Sequence, residues 1–92
     1  MDETSLIRQA QKGDVRAFNV FVRAHQTTVY NVAYRVLGDG DTAADVAQET
    51  FVRVARNLNG FSGGSETAWL LTIARNLLID HWKRRRLPIN DR

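Results

Sequence analysis

The apolar and polar positions along the chain divide it into four helical segments separated by turns. Turn-forming residues cluster at Gly13-Asp14, over residues 37–41 and over residues 57–65, and the single proline, Pro88, follows the last segment. No stretch alternates apolar and polar residues with a period of two, the pattern that marks a strand. The sequence therefore predicts an all-α fold, a compact three-helix bundle with a short additional N-terminal helix.

The first two segments are predicted to be helices, and the second of them has an N-cap residue and contains one histidine. The first helix is predicted from about Glu3 to Gln11, and the second from about Val15 to Leu37 with Asp14 as its N-cap. At about 100° per residue the second helix has one apolar stripe, formed by Phe18, Phe21, Val22, Val29, Val32, Ala33 and Val36. His25 falls inside this stripe. Because no second ligand lies at metal-binding spacing, His25 is predicted to pack at the core edge with hydrogen-bonded ring nitrogens.

The third segment is predicted to run from about Thr42 to Asn57, capped by Asp41, with one buried and one exposed face. The predicted buried stripe is Ala44, Ala47, Phe51, Val54, Ala55 and Leu58. The opposite face carries Asp45, Gln48, Glu49, Val52, Arg53 and Arg56. A solvated helix face is the simpler explanation of this charge pattern. However, an apolar residue ringed by charges and an amide also suits a protein-docking patch.

The fourth segment, from about Glu66 to Arg86 with Ser65 as N-cap, combines an apolar stripe with a cationic face. The residues predicted to pack inward are Leu70, Leu71, Ile73, Ala74, Leu77 and Leu78. The other face gathers Thr72, Arg75, Asn76, Ile79, Lys83 and Arg86, with Asp80 at its edge. Cations together with amides and hydroxyls contact phosphates and base edges, so this face is predicted to bind nucleic acid. Trp69 and Trp82 are expected at the core rim, with base stacking as the alternative for the more exposed ring.

The segment of residues 57–65 is longer than the roughly two to eight residues that join packed helices. Its three glycines allow backbone groups to approach a ligand closely. Phe61 either anchors this loop to the core or lines a pocket, and anchoring is favoured. The loop is not a phosphate-binding P-loop, because it lacks the Gly-Lys-Ser/Thr ending and no strand precedes it.

Composition narrows the classes of function. The chain of 92 residues has a net charge of +3, but the first 74 residues hold seven Lys/Arg and eight Asp/Glu, and residues 75–92 hold six and two. This asymmetry indicates two different partners. With no cysteine, no metal-ligand spacing and no base–nucleophile pair, neither a metal, nor a cofactor, nor an enzymatic activity is expected. The polar N-terminus and the absence of a long apolar run predict a soluble, cytoplasmic protein without a signal peptide.

Four motifs together resemble the region 2 domain of bacterial extracytoplasmic-function (ECF) sigma factors, the group IV branch of the sigma-70 family. They are DVAQETF, NLNGFSGGS, AWLLTIARNLLID and the basic run that follows. The resemblance spans Leu6 to Arg86, which implies a region 2 domain over residues 1–86 and the start of an interdomain linker at residues 87–92. Members continue into a second helical domain that recognises the −35 element, so the chain is expected to be an isolated domain or a fragment.

The resemblance also implies roles for individual residues. Docking on the β′ clamp helices of core RNA polymerase would use Asp45, Gln48, Glu49 and Val52. The loop would capture a base flipped from the non-template strand of the −10 element, with Asn59, Gly60, Phe61, Ser62 and Gly63 around it. The last helix would recognise the upstream part of this element and hold phosphates through Thr72, Arg75, Asn76, Ile79, Lys83 and Arg84. The implied function is docking on polymerase and recognition and melting of the −10 element.

One departure and one alternative accompany this interpretation. Many members have an aromatic residue shortly before Ala-Trp-Leu, where this chain has Glu66 and Thr67; a carboxylate there would repel phosphate. An anti-sigma factor that masks these faces is a further partner implied by the resemblance. The alternative is a helical protein-interaction module with no role in DNA binding, in which the basic end only aids solubility.

Overall fold

A computed structural model describes residues 5–86 of the chain, with residues 85 and 86 described by their backbone alone. The helices are α1 (Leu6–Gln11), α2 (Val15–Leu37), α3 (Gly40–Arg56) and α4 (Glu66–Arg86), with one 3-10 turn at Leu58–Gly60. No strand occurs within residues 5–86, and the all-α prediction is confirmed. The predicted beginning of the first helix at Glu3 and the predicted linker at 87–92 lie outside the described residues.

Side-chain caps determine where the long helices begin. The Asp14 carboxylate accepts the Ala17 N–H at 3.1 Å, and the Ser65 hydroxyl accepts the Ala68 N–H at 3.0 Å. Both caps are those predicted from the sequence. Each satisfies one backbone donor that has no partner within the first turn of the helix.

The predicted cap of α3 was wrong by two residues. Asp39, in an extended backbone conformation, accepts the Thr42 N–H at 2.9 Å and also the Thr42 hydroxyl. Asp41 instead lies in the first turn of the helix, where the helix dipole favours a negative charge without any capping bond. Gly38 ends α2 with a positive φ of 70°. The turn between α2 and α3 is therefore only two residues long.

The two neighbouring aspartates at the start of α3 are expected to differ in their effect on stability. We expect Asp39→Ala to lower the free energy of unfolding by about 1 kcal/mol, because it removes the acceptor for the Thr42 N–H. Asp41→Ala is the matched control and should change it by less than about 0.5 kcal/mol. Urea unfolding followed by circular dichroism measures both values. Equal losses in the two variants would contradict the assignment of the cap.

The four helices and the loop share one core in two adjoining parts. The larger part is formed by Ile7, Phe21, Val29, Ala47, Phe51, Val54, Phe61, Leu70 and Ala74. The smaller part is formed by Ala33, Ala43, Val46, Leu77 and Leu78. Thr50 is fully buried among them, and its hydroxyl donates to the Val46 carbonyl at 2.7 Å. This polar group is therefore satisfied within α3.

The buried stripe of α3 differs from the prediction, whereas that of α4 agrees with it. The buried residues of α3 are Ala43, Val46, Ala47, Thr50, Phe51 and Val54. Ala44 and Ala55 are exposed and Leu58 is half-buried, so the predicted stripe was wrong at these three positions. On α2, Val36 is 49% exposed, which corrects the end of its stripe. On α4 the six predicted residues are all buried or half-buried.

His25 lies at the core edge, as the sequence predicts. Its ring centroid is 4.5 Å from that of Phe21, and its Nδ1 lies 2.9 Å from the Phe21 carbonyl oxygen. Nε2 lies 3.4 Å from the Thr67 hydroxyl at the start of α4. His25 thus links α2 to α4, and its packing accounts for its position in the apolar stripe.

Candidate protein-docking and nucleic-acid interfaces

The outward surface of α3 brings together the four residues predicted to dock on a protein partner. Asp45, Gln48, Glu49 and Val52 are all exposed, and 42% of Val52 is accessible to solvent. We call these four residues the docking face. An exposed valine among two carboxylates and an amide is the composition expected of a protein-binding patch. The structure thus confirms the predicted exposure of this face, while its binding role stays a prediction.

An apolar groove of about 690 Å³ borders the docking face between α2 and α3. Its lining is Phe18, Asn19, Val22, Gln26, Thr27, Tyr30, Ala44, Ala47, Gln48, Phe51, Val52 and Ala55. Gln48 and Val52 therefore belong both to the docking face and to the groove. Ala44 and Ala55 are exposed because their small side chains leave this groove open. The polar α2 residues of the groove were not predicted as site residues, since only tertiary packing places them beside α3.

Glu49 connects the docking face to α4. Its carboxylate Oε1 lies 3.7 Å from His81 Nε2, with the two side chains 48% and 21% exposed. A contact of this length between partly exposed groups contributes little to stability. The contact between Glu49 and His81 shows that one end of the docking face lies beside the C-terminal half of α4.

A second surface, on α4, brings together five of the residues predicted to contact nucleic acid. Its exposed members are Thr72, Arg75, Asn76 and Lys83, with Ile79 half-buried between them. We call these five residues the basic face. The Thr72 hydroxyl donates to the Ala68 carbonyl at 2.9 Å, so its oxygen remains available as an acceptor.

Two further arginines, Arg84 and Arg86, were predicted on the nucleic-acid surface but are not part of the basic face. Arg84 is exposed, and at about 100° per residue it lies about 80–180° around α4 from the members of the basic face. The structure therefore does not group Arg84 with the basic face, and its predicted role stays a prediction. The side chain of Arg86 lies outside the described residues.

Trp82 adds an aromatic ring beside the basic face. It is 45% exposed, whereas Trp69 is half-buried with its ring centroid 5.3 Å from that of Phe61. Trp82 lines an apolar groove of about 440 Å³ together with Val32, Val36, Leu71, Arg75, Leu78 and Ile79. Of the two tryptophans, Trp82 is thus the more exposed, and base stacking by its ring stays a prediction. It was not among the predicted site residues.

The loop before α4 is anchored by Phe61, which is 4% exposed and part of the core. Anchoring was the favoured prediction and is confirmed. The Phe61 ring is therefore packed within the core, and its predicted place around the base stays a prediction. The other four predicted loop residues, Asn59, Gly60, Ser62 and Gly63, are exposed, and their role stays a prediction.

Helix α1 holds the loop from outside. The Gln11 Nε2 donates to the carbonyls of Leu58 at 2.7 Å and Phe61 at 3.0 Å. The half-buried Glu66 carboxylate accepts the Ser5 hydroxyl at 2.5 Å and the Ile7 N–H at 3.3 Å. The Glu66 carboxylate therefore accepts two hydrogen bonds at the start of α1. The repulsion of phosphate expected from this carboxylate stays a prediction.

Two kinds of site are not found in the part of the chain that the structure describes. Within it no group of three or more His, Asp or Glu side chains could hold a metal ion. None of the described helices is long and apolar enough to cross a membrane.

Comparison with known proteins agrees with this geometry. The family described as Sigma-70 region 2 matches residues 21–87. The ECF RNA polymerase sigma factor BldN of Streptomyces coelicolor is 41% identical over 86 residues, which are 91% of this chain and 33% of BldN. The ECF RNA polymerase sigma factor SigW of Bacillus subtilis is 37% identical over 81 residues, 87% of this chain and 43% of SigW. The chain thus spans less than half the length of these relatives.

One solved structure is similar over almost the whole chain. It is an NMR structure of an engineered region 2 of sigmaE in complex with GTAAAA. It superimposes with a TM-score of 0.80 at 33% sequence identity, covering 97% of this chain and 100% of the other.

Proposed function

This chain belongs to the sigma-70 family as a region 2 domain of the ECF type, and we propose that it docks on core RNA polymerase and recognises and melts the promoter −10 element. The observation that carries the proposal is the separation of two exposed surfaces on one bundle. The docking face on α3 is acidic, and the basic face on α4 is cationic. Two surfaces of opposite charge suit a protein that joins a basic protein surface to DNA.

The docking face and its groove fit the β′ clamp helices, the proposed partner on polymerase. A helix seated in the groove between α2 and α3 would cover Val52 and Gln48 and place its flanks beside Asp45 and Glu49. Arginines on those flanks would pair with the two carboxylates, which speeds association and determines orientation. The apolar centre supplies burial and the charged rim supplies specificity.

The loop and the basic face fit a single strand better than a duplex. Flipping a base out of a duplex costs a few kcal/mol, so a site that binds the flipped base favours DNA that is already open. Helix α4 has 21 residues and is about 30 Å long, with the loop at its N-terminal end and the basic face along its length. The binding of GTAAAA by the related sigmaE domain supports a similar strand here.

This part of the proposal predicts a preference for single-stranded DNA. An oligodeoxynucleotide that contains GTAAAA should bind about tenfold more tightly alone than annealed to its complement, because the duplex must first release its bases. Fluorescence anisotropy titrations of the two labelled forms measure the ratio. Equal affinities would contradict base capture.

The same titrations distinguish the alternative function. Arg75→Ala should weaken binding of the single strand, since Arg75 is exposed on the basic face. Absence of binding by the folded, unaltered chain would favour the alternative, a helical protein-interaction module with no role in DNA binding. Binding unaffected by the substitution would show that the DNA contact does not use Arg75.

An anti-sigma factor completes the set of proposed partners. An amphipathic helix of such a protein, placed in the groove beside Val52 and Gln48, would exclude polymerase from the docking face. Because the proposed function requires docking on RNA polymerase, we propose that the protein acts in the cytoplasm. This function involves no covalent step, so the proposed role is that of an initiation factor rather than an enzyme.

A further inference from the structure

Arg8 of α1 lies against the loop that precedes α4. Its guanidinium carbon is 5.4 Å from the centroid of the Phe61 ring. One of its terminal nitrogens is 3.3 Å from the position that a Cβ atom on Gly63 would occupy. Gly63 is exposed, as are its neighbours Ser62 and Gly64. A single exposed cation thus lies over the anchor of the loop and beside its exposed tip.

The loop has no cation of its own. Residues 57–65 contain no Lys or Arg, and the next residue is Glu66. Arg56 directly precedes the loop. It lines a pocket at the first part of the loop together with Asn59 and Gly60. The positive charge at the second part, around Gly63, therefore comes from Arg8. A strand that enters this loop carries one negative charge per nucleotide, which a nearby arginine can offset.

The guanidinium group is well placed to bind an anion. Within the described residues Arg8 has no carboxylate within ion-pair distance, and the nearby Glu66 carboxylate accepts the Ser5 hydroxyl and the Ile7 N–H. A guanidinium that lies over an aromatic ring still carries N–H donors that can bind an anion. One turn further along α1, Gln11 fixes the loop through two carbonyls. Helix α1, which carries Arg8, and the loop are thus joined by hydrogen bonds before any ligand binds.

We propose that Arg8 contacts a phosphate of the single strand held by the loop, which extends the nucleic-acid site from α4 onto α1. The inference rests on the proposed capture of a single strand. No local sequence pattern indicates it, because Arg8 and Gly63 are far apart in the chain and meet only in the fold.

The test uses Arg8→Gln and a single-stranded oligodeoxynucleotide containing GTAAAA, titrated at several salt concentrations. At about 0.1 M salt the variant should bind about fivefold to tenfold more weakly than the unaltered chain. The slope of log K against log salt should fall by about 0.7, the value for one phosphate contact on a single strand. A strand of scrambled sequence should show the same relative loss, since phosphate contacts carry no sequence information.

Two further variants serve as controls. Lys12→Gln removes the same charge from the exposed end of the same helix and should leave the salt slope unchanged. Arg8→Lys keeps the charge and should retain the slope, which separates loss of the phosphate contact from loss of folding. Melting curves of all variants establish that each is folded at the temperature of the titrations.

Each other outcome overturns the proposal. An unchanged affinity and salt slope for Arg8→Gln, with normal binding by the unaltered chain, would show that Arg8 does not contact a phosphate. The proposed function would still stand. An equal loss in Lys12→Gln shows a general charge effect. A weaker affinity with an unchanged slope shows stacking or a structural role instead of a phosphate contact. Absence of binding by the unaltered chain removes the proposed single-strand capture and this inference with it.

Discussion

Glu49→Lys is expected to weaken binding to core RNA polymerase by a factor of about 30 or more, while leaving the helix content of the chain unchanged. Glu49 is exposed on the docking face and close to His81, so its replacement disturbs no core contact. A lysine there would face the arginines proposed on the partner and replace attraction with repulsion. The expected loss is about 2 kcal/mol or more, a factor of about 30 in affinity.

The matched control is Asp80→Lys, which makes the same change of charge on α4 at another exposed position. It should reduce polymerase affinity only slightly, through the overall charge of the domain. Size-exclusion co-elution and a titration with labelled chain measure both variants. Unchanged affinity in Glu49→Lys would show that polymerase binds elsewhere on the bundle.

Phe61→Ala is expected to lower the free energy of unfolding by about 3–5 kcal/mol. The ring is 4% exposed, packs within the core cluster and lies against Trp69 and Arg8. Its removal leaves a cavity and releases the loop from its anchor. Single-strand binding should weaken together with stability, because an unanchored loop must be ordered again when it binds a base.

Two measurements separate anchoring from direct contact with a base. Urea unfolding should show a smaller loss for Phe61→Leu than for Phe61→Ala, since leucine refills part of the cavity. Ser62→Ala, at the exposed neighbouring position, should be nearly neutral in stability. A Phe61→Ala variant of normal stability that has lost single-strand binding would instead support a pocket lined by the ring.

The limits of α2 and α4 could be predicted because each depends on a local signal. Asp14 and Ser65 are single polar residues directly before an amphipathic run, and both cap as expected. At α3 two aspartates compete within three residues, Asp39 and Asp41, and the sequence does not show which of them takes the extended conformation. The left-handed turn at Gly38 favours the earlier start, since the chain can enter α3 almost immediately.

The face of α3 that packs inward was also harder to predict than that of α4. Alanine has little apolar surface to bury, so it identifies a buried stripe poorly. Ala44 and Ala55 line an open groove instead, and the buried threonine, Thr50, takes a core position through its bond to Val46. The exposed position of Glu49 and its neighbours was predictable, because charged side chains determined it.

The contacts between α1 and the loop could not be predicted from local sequence. Gln11 bonds to Leu58 and Phe61, and Glu66 bonds to Ser5 and Ile7. These pairs are separated by most of the chain, and neither glutamine nor glutamate indicates its partner through spacing. The anchoring of Phe61 could be predicted, because a large apolar residue in a small domain is usually buried. The contacts that hold the rest of the loop depend on the tertiary fold.

Binding of the unaltered chain to bacterial core RNA polymerase tests the central claim most directly. The chain and the core enzyme, mixed and separated by size exclusion, should elute together, and Glu49→Lys should elute apart. A chain that is folded by circular dichroism yet elutes separately from the core enzyme would contradict the proposed docking.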